Sequence, residues 1–157
     1  MPPRNPPSAH PRILAISSSG GHWEQLMLLR DSFADCDVSY AVTMEGLAER
    51  SGLASAVIVP DFNAQQPLKT LKGALKVVRL VHSLKPDVVI STGAAPGLIA
   101  IAYGKLRGAR TIWVDSIANA QRLSLSGRLA RNVADMWLTQ WEHLARPGGP
   151  KYAGAVL

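Results

Sequence analysis

Ile13-Leu14-Ala15-Ile16-Ser17-Ser18-Ser19-Gly20-Gly21-His22-Trp23 is the stretch that decides the fold. A short continuous apolar run ends in a serine and glycine break, after which Trp23, Leu26, Leu28 and Leu29 recur at helical spacing. That order is strand, glycine turn, helix, and it repeats along the chain. Residues 38–42 read as a strand before a helix over 45–50, and residues 56–59 as a strand before a long helix over about 67–84. Residues 87–91 and 111–114 read as strands on either side of a helix over about 95–106. Residues 136–139 and 153–157 read as further short strands. Strands this short, apolar throughout and separated by helices are what a parallel sheet covered on both faces requires. The expected fold is α/β, a Rossmann-like doubly wound parallel sheet.

The 157 residues are 47% hydrophobic, enough to bury one core, so residues 12–157 are expected to form a single domain. Residues 1–11 hold five of the eleven prolines and no apolar run. They read as a disordered Pro-rich leader, neither signal peptide nor membrane anchor. The longest apolar stretch, residues 96–103, falls far short of the roughly 20 residues that cross a bilayer. A soluble or peripheral, cytoplasmic protein is expected. The single cysteine, Cys36, excludes an internal disulfide and a cysteine zinc cage. No metal and no cofactor are expected. The formal charge of +6 suits an anionic partner: phosphate, an acidic lipid surface or nucleic acid. No recognised nucleic-acid motif is evident, so that partner is not expected.

In open α/β sheets ligands bind beyond the carboxyl ends of the strands, where residues 17–22 stand. Glycines let the backbone approach a diphosphate, and the start of the following helix offers N–H groups and partial positive charge. Ser19, Gly20 and Gly21 are therefore candidate substrate-binding residues. The turn lacks the third glycine of Gly-x-Gly-x-x-Gly and the lysine of a Walker loop, so neither a dinucleotide nor ATP is indicated. A double glycine serves equally well as a plain tight turn. His22 can take a proton from a sugar hydroxyl near neutral pH, or act only as a hydrogen-bonding residue. At a second strand end Thr92 and Gly93 can line the same cleft, while Gly93 and Gly97 can equally serve close helix packing. At a third, Asp115 can bind a sugar hydroxyl or act as base beside Ser116, or either residue can cap the next helix.

On the long helix Lys69, Lys72, Lys76 and Arg79 fall at intervals of three, four and three, which sets them on one stripe. Leu68, Leu71, Leu75 and Val78 form a neighbouring stripe expected to pack on the sheet. The basic stripe suits an anionic membrane surface, with Leu80 beside it able to dip into the interface, or is simply a solvated face.

Taken in order, Ser19-Gly20-Gly21-His22, Lys85-Pro86-Asp87-Val88-Val89, Ser91-Thr92-Gly93-Ala94-Ala95-Pro96, Asp115-Ser116 and Leu123-Ser124-Leu125-Ser126-Gly127 resemble the asparagine-linked glycosylation subunit fourteen family. Gln140-Trp141-Glu142 and Lys151-Tyr152-Ala153-Gly154 are similar to that family's C-terminal end, so the resemblance covers residues 12–157. It implies the N-terminal half of a GT-B glycosyltransferase, similar to the acceptor domain of the MurG transferase. The eukaryotic subunit pairs with a donor-binding subunit to add a second N-acetylglucosamine to dolichol diphosphate. Bacterial PssD-like relatives pair with a PssE-like partner to extend an undecaprenyl-diphosphate sugar. The resemblance thus implies the acceptor- and membrane-side subunit of a two-subunit hexosyltransferase in exopolysaccharide or lipid-linked oligosaccharide biosynthesis. The partner would hold most of the UDP-sugar, the acceptor would be a polyprenyl-diphosphate saccharide, and His22 and Asp115 would be the catalytic residues.

This chain departs from the family in three ways. The eukaryotic membrane helix has no counterpart here, so docking is expected to be peripheral, on the inner face of the cell membrane. Asp115 stands where the family commonly has glutamate, and residues 44–66 match least. The competing reading is a stand-alone nucleotide-binding or regulatory α/β module. Against it, Thr43-Met44 occupies the second strand end, where a ribose-binding acidic residue would stand.

Overall fold

The structure, a computed structural model, describes residues 10–61 and 67–156. The chain order is β1 (Arg12–Ile16), α1 (Gly21–Leu28), β2 (Asp37–Val42), α2 (Leu47–Arg50), β3 (Val57–Ile58), α3 (Pro67–Leu84), β4 (Val88–Ser91), α4 (Ala94–Leu106), β5 (Arg110–Val114), α5 (Leu125–Ala130), β6 (Met136–Thr139) and β7 (Lys151–Tyr152). Seven strands form one sheet in the order β3-β2-β1-β4-β5-β6-β7, and each neighbouring pair is parallel. The α/β, doubly wound expectation holds. The chain runs outward from β1 to β3, returns through α3, and then runs the other way from β4. The switch in direction therefore lies between β1 and β4, where an open sheet parts to admit a ligand.

Alternation along β1 feeds two cores. Leu14 and Ile16 join a cluster with Val77 and Val81 of α3 and Ala100 and Ile101 of α4. Ile13 and Ala15 join Trp23 and Leu26 of α1 and Ala48 of α2. A strand buried on both faces must be apolar at every position, which is why residues 13–16 carry no alternation. At the other end of this strand pair, Arg12 donates from Nε and Nη2 to the two carboxylate oxygens of Asp87, each at 3.1 Å. These hydrogen bonds hold the Asp87 carboxyl below the ordinary carboxylate range, and the two-point contact pins the register of β1 against β4.

Three expectations need correction. The apolar stripe of α3 that meets the sheet is Val77 and Val81, with Leu80 and Leu84 packed against the same cluster. Leu68, Leu71 and Leu75 are instead 76%, 59% and 47% exposed. At 100° per residue, Gly73, Val77, Val81 and Leu84 fall on one side and Leu68, Leu71 and Leu75 opposite. The helix carries two apolar stripes, and the small and β-branched one allows close approach to the strands. Leu80, expected to dip into a membrane, is partly buried and packs against the sheet-facing cluster. At the C-terminal end residues 153–156 form no strand; β7 is Lys151–Tyr152. Gly154 takes φ +102°, a left-handed value that ends the extended run. Most of the proline-rich leader, residues 1–9, lies outside the described residues, as does Leu157.

Helix α4 lies very close to β4. A Cβ at Gly97 would overlap the Ser91 side chain, and one at Gly104 would stand 2.7 Å from Val89 Cγ2. Of the two roles open to Gly97, close packing is the one its contacts show. Gly97→Ala should therefore lower the unfolding free energy by about 1–3 kcal/mol through overpacking, read from the denaturant midpoint at constant m-value.

Candidate functional site

Where β1 and β4 end, their turns are tied together. His22 Nδ1 lies 3.0 Å from the Thr92 carbonyl oxygen, and the Thr92 hydroxyl donates to the His22 carbonyl at 2.6 Å. A carbonyl only accepts, so Nδ1 must carry the proton, and in the neutral ring Nε2 is the lone-pair nitrogen. Nε2 has no protein partner among the described residues. The ring lies against Gly93, where a Cβ would overlap it, and Gly93 takes φ +150°. The next residue, Ala94, takes φ +70°, a left-handed conformation that costs a non-glycine residue roughly 1 kcal/mol or more and tends to persist at ligand sites.

Two helices start at this point. Gly20 takes φ +72° ahead of α1, and neither Gly20 nor Gly93 supplies a side-chain cap to the helix that follows it. An uncapped helix start directs N–H groups and partial positive charge outward, a setting suited to phosphate. Ser19 is held by its own N–H, which donates to Thr43 Oγ1 at 2.9 Å.

A cleft of about 210 Å³ opens beside the ring, lined by His22, Ala94, Ser116, Ala118, Asn119, Ser124, Leu125 and Ser126. His22 and Ser116 share its wall. Asp115, by contrast, is 1% exposed and saturated. Its Oδ1 accepts from Trp113 Nε1 at 3.2 Å and Ser124 Oγ at 2.7 Å. Its Oδ2 accepts from the Ser124 N–H at 3.1 Å and Asn119 Nδ2 at 3.3 Å. A carboxylate with four donors organises the loop over residues 116–124, which forms one side of the cleft. The cap of α5 is Ser124, whose Oγ accepts from the Gly127 N–H at 2.8 Å.

Sequence reasoning brought together His22, Thr92, Gly93 and Ser116 but missed several neighbours. Asn119, Ser124, Leu125 and Ser126 line the cleft, and Gln25 and Gln140 support it from behind. Gln25 had a signal: it is a polar residue between Trp23 and Leu26 on a helix whose neighbours are core. Lys69, Lys72, Lys76 and Arg79 are all exposed on α3 and line no part of this cleft. No group of three or more metal-ligating side chains exists among the described residues, and none of their helices is long and apolar enough to cross a membrane.

Comparison with known proteins adds to this geometry. Residues 53–156 match the family described as "Oligosaccharide biosynthesis protein Alg14 like". A "UDP-N-acetylglucosamine transferase subunit ALG14" from Yarrowia lipolytica is 26% identical, over 89% of this chain and 78% of that protein. The protein of the same name from Eremothecium gossypii is also 26% identical, over 91% of this chain and 77% of its own length. Among solved structures, Acinetobacter baumannii MurG superposes with a TM-score of 0.69 at 16% identity. The match covers 93% of this chain and 45% of that one, so the chain spans less than half of MurG, and the likeness concerns fold.

The tautomer is open to direct measurement. Long-range 15N–1H correlation of the imidazole rings at alkaline pH should show Nδ1 of His22 protonated and Nε2 bare. The reverse pattern would mean that the Thr92 carbonyl does not hold the ring.

Proposed function

The chain belongs to the Alg14-like family of oligosaccharide biosynthesis proteins, and from that membership we propose that it is the acceptor-side subunit of a two-subunit glycosyltransferase. Residues 12–157 act as one acceptor-binding domain. The reaction moves a sugar from a UDP-sugar to a polyprenyl-diphosphate-linked saccharide, with the nucleotide held mainly by a donor-binding partner. The relatives' printed name, a UDP-N-acetylglucosamine transferase subunit, supports both the donor class and the partner. A PssE-like chain is the partner that a bacterial relative would use.

The observation that carries this reading is the His22 imidazole, turned by the Thr92 carbonyl so that Nε2 has no partner among the described residues, beside two uncapped helix starts. Anion and base sites then adjoin. In the proposed step the acceptor hydroxyl attacks the anomeric carbon of the donor sugar. The bond from that carbon to the nucleotide diphosphate breaks, and the hydroxyl proton passes to His22 Nε2. Ser19, Gly20, Gly21, Thr92, Gly93 and Ser116 shape the diphosphate and sugar site. Asp115 contributes by orienting the loop that carries Ser116, a role its four occupied contacts favour over proton transfer.

The membrane face of the proposal is α3. Lys69, Lys72, Lys76 and Arg79 form a band beside exposed Leu68, Leu71 and Leu75, so the solvent side of this helix is amphipathic in its own right. Each basic residue near an anionic surface adds about 1 kcal/mol, and each leucine up to about 1.5–3 kcal/mol on full burial. The chain would then sit on the inner face of the cell membrane, beside its lipid substrate.

Two experiments test these parts separately. In the complex with its donor-binding partner, His22→Ala should lower turnover by about 100-fold or more while assembly is retained, the size expected for a lost general base. Near wild-type turnover in a folded complex would make His22 a structural turn residue. In co-sedimentation with vesicles containing phosphatidylglycerol, binding should weaken as salt rises and disappear in the double variant Lys72→Glu with Lys76→Glu. Undiminished binding by that variant would remove α3 from the membrane contact.

A further inference from the structure

Gln25 lies one helical turn beyond His22 and is only 6% exposed. Its amide can be assigned without ambiguity. Oε1 accepts from the main-chain N–H of Ile117 at 3.0 Å, and that group can only donate. Nε2 therefore faces the other way, where it donates to the Gly21 carbonyl at 3.0 Å and to Ser116 Oγ at 3.2 Å. Gln140 is oriented by the same logic. Its Oε1 accepts from the Val156 N–H at 2.8 Å, which leaves Nε2 to donate to Gln25 Oε1 at 2.6 Å and to the Asp115 carbonyl at 3.0 Å.

The consequence falls on Ser116. Its Oγ receives N–H groups from Gln25 and, at 3.3 Å, from Ala118. Two donors fill the acceptor side of the hydroxyl, and no protein acceptor for its own proton occurs among the described residues. Ser116 lines the cleft together with His22.

We propose that Gln25, held in place by Gln140, is a positioning residue that fixes Ser116 as a hydroxyl donor aimed into the cleft, at a phosphoryl oxygen of the acceptor's diphosphate. This rests on the acceptor-side transferase reading and adds the polarity of the site to it. An O–H aimed at an anionic oxygen makes a short, strong hydrogen bond. The donors leading to it run in one direction, from the Val156 N–H through Gln140 and Gln25 to Ser116, and dipoles aligned in series polarise one another. Without Gln25 the Ser116 hydroxyl regains an open acceptor side and loses its fixed direction.

The test uses the assembled complex and steady-state kinetics against a short-chain polyprenyl-diphosphate sugar. Gln25→Met keeps the length of the side chain but lacks the amide. It should raise KM for the lipid acceptor about ten-fold or more, the size of a lost hydrogen bond to a charged group, and leave KM for the nucleotide sugar unchanged. Gln140→Met should act in the same direction. Combined with Ser116→Ala, Gln25→Met should add nothing, because both changes remove one contact. Additive losses, or a lowered kcat at unchanged acceptor KM, would overturn the proposal and leave Gln25 a core residue only. If Gln25→Met does not assemble, Ser116→Ala decides alone, since it leaves both amides in place: an unchanged acceptor KM overturns the proposal and a ten-fold rise upholds it. A wild-type complex that transfers nothing to the lipid acceptor would defeat the transferase reading itself, whereas an active complex indifferent to Ser116→Ala defeats only this inference.

Discussion

The reciprocal pair of hydrogen bonds between His22 and Thr92 closes the point where the sheet changes direction. Strand pairing between β1 and β4 runs from Ile13 with Val88 to Ile16 with Ser91 and goes no further. Beyond it the two turns would separate as their helices leave on opposite faces. The pair bridges that gap with one side chain from each turn bonding to the other's main chain, so neither turn can shift without the other. The same contact sets the tautomer of the imidazole and explains why residue 93 is glycine, since a side chain there would occupy the space of the ring. Fold and chemistry thus share one constraint.

That constraint was half legible in the sequence. The apolar run of residues 13–16 followed by Gly20-Gly21 marked a strand end facing a crevice, and Ser91-Thr92-Gly93 marked another. Nothing local tells which strands are neighbours, so the bond across 70 residues between His22 and Thr92 had to come from the fold. Gln25 and Gln140 are a stronger case, because 115 residues separate them, and the polar break at Gln25 in the apolar pattern of α1 does not name its partner. Asp115 was visible as a residue at a strand end, but its role depends on donors from Trp113, Asn119 and Ser124, which only the loop's path brings to it.

Helix α3 shows a different limit. Its sequence holds apolar residues on two sides, and periodicity alone cannot say which side meets the sheet. The side with Gly73, Val77 and Val81 does so, since small and β-branched residues let the helix approach the strands and fill the shallow space above them. The long, flexible leucines at 68, 71 and 75 are left outside, next to the basic band. Exposed leucines confer no benefit in water, and their position beside lysines on a single face is what the proposed membrane contact draws on: apolar area for the acyl boundary and cations for the headgroups.

The polar groups behind the cleft divide in a way that bears on function. Burial of an amide or carboxylate is costly unless it is paired, and Asp115, Gln25 and Gln140 meet that demand through main-chain and side-chain partners drawn from α1, β5, the loop over residues 115–124 and the last described residues. Two groups at the front differ. Among the described residues nothing donates to His22 Nε2 and nothing accepts the Ser116 hydroxyl proton, and both residues line a single cleft. In the proposed reaction they would serve as complementary contacts to a substrate with both a hydroxyl proton to release and an oxygen to be held. A saturated network behind them keeps each from turning inward to satisfy itself. The saturated shell and the two unsatisfied groups in front of it are two results of the same set of hydrogen bonds.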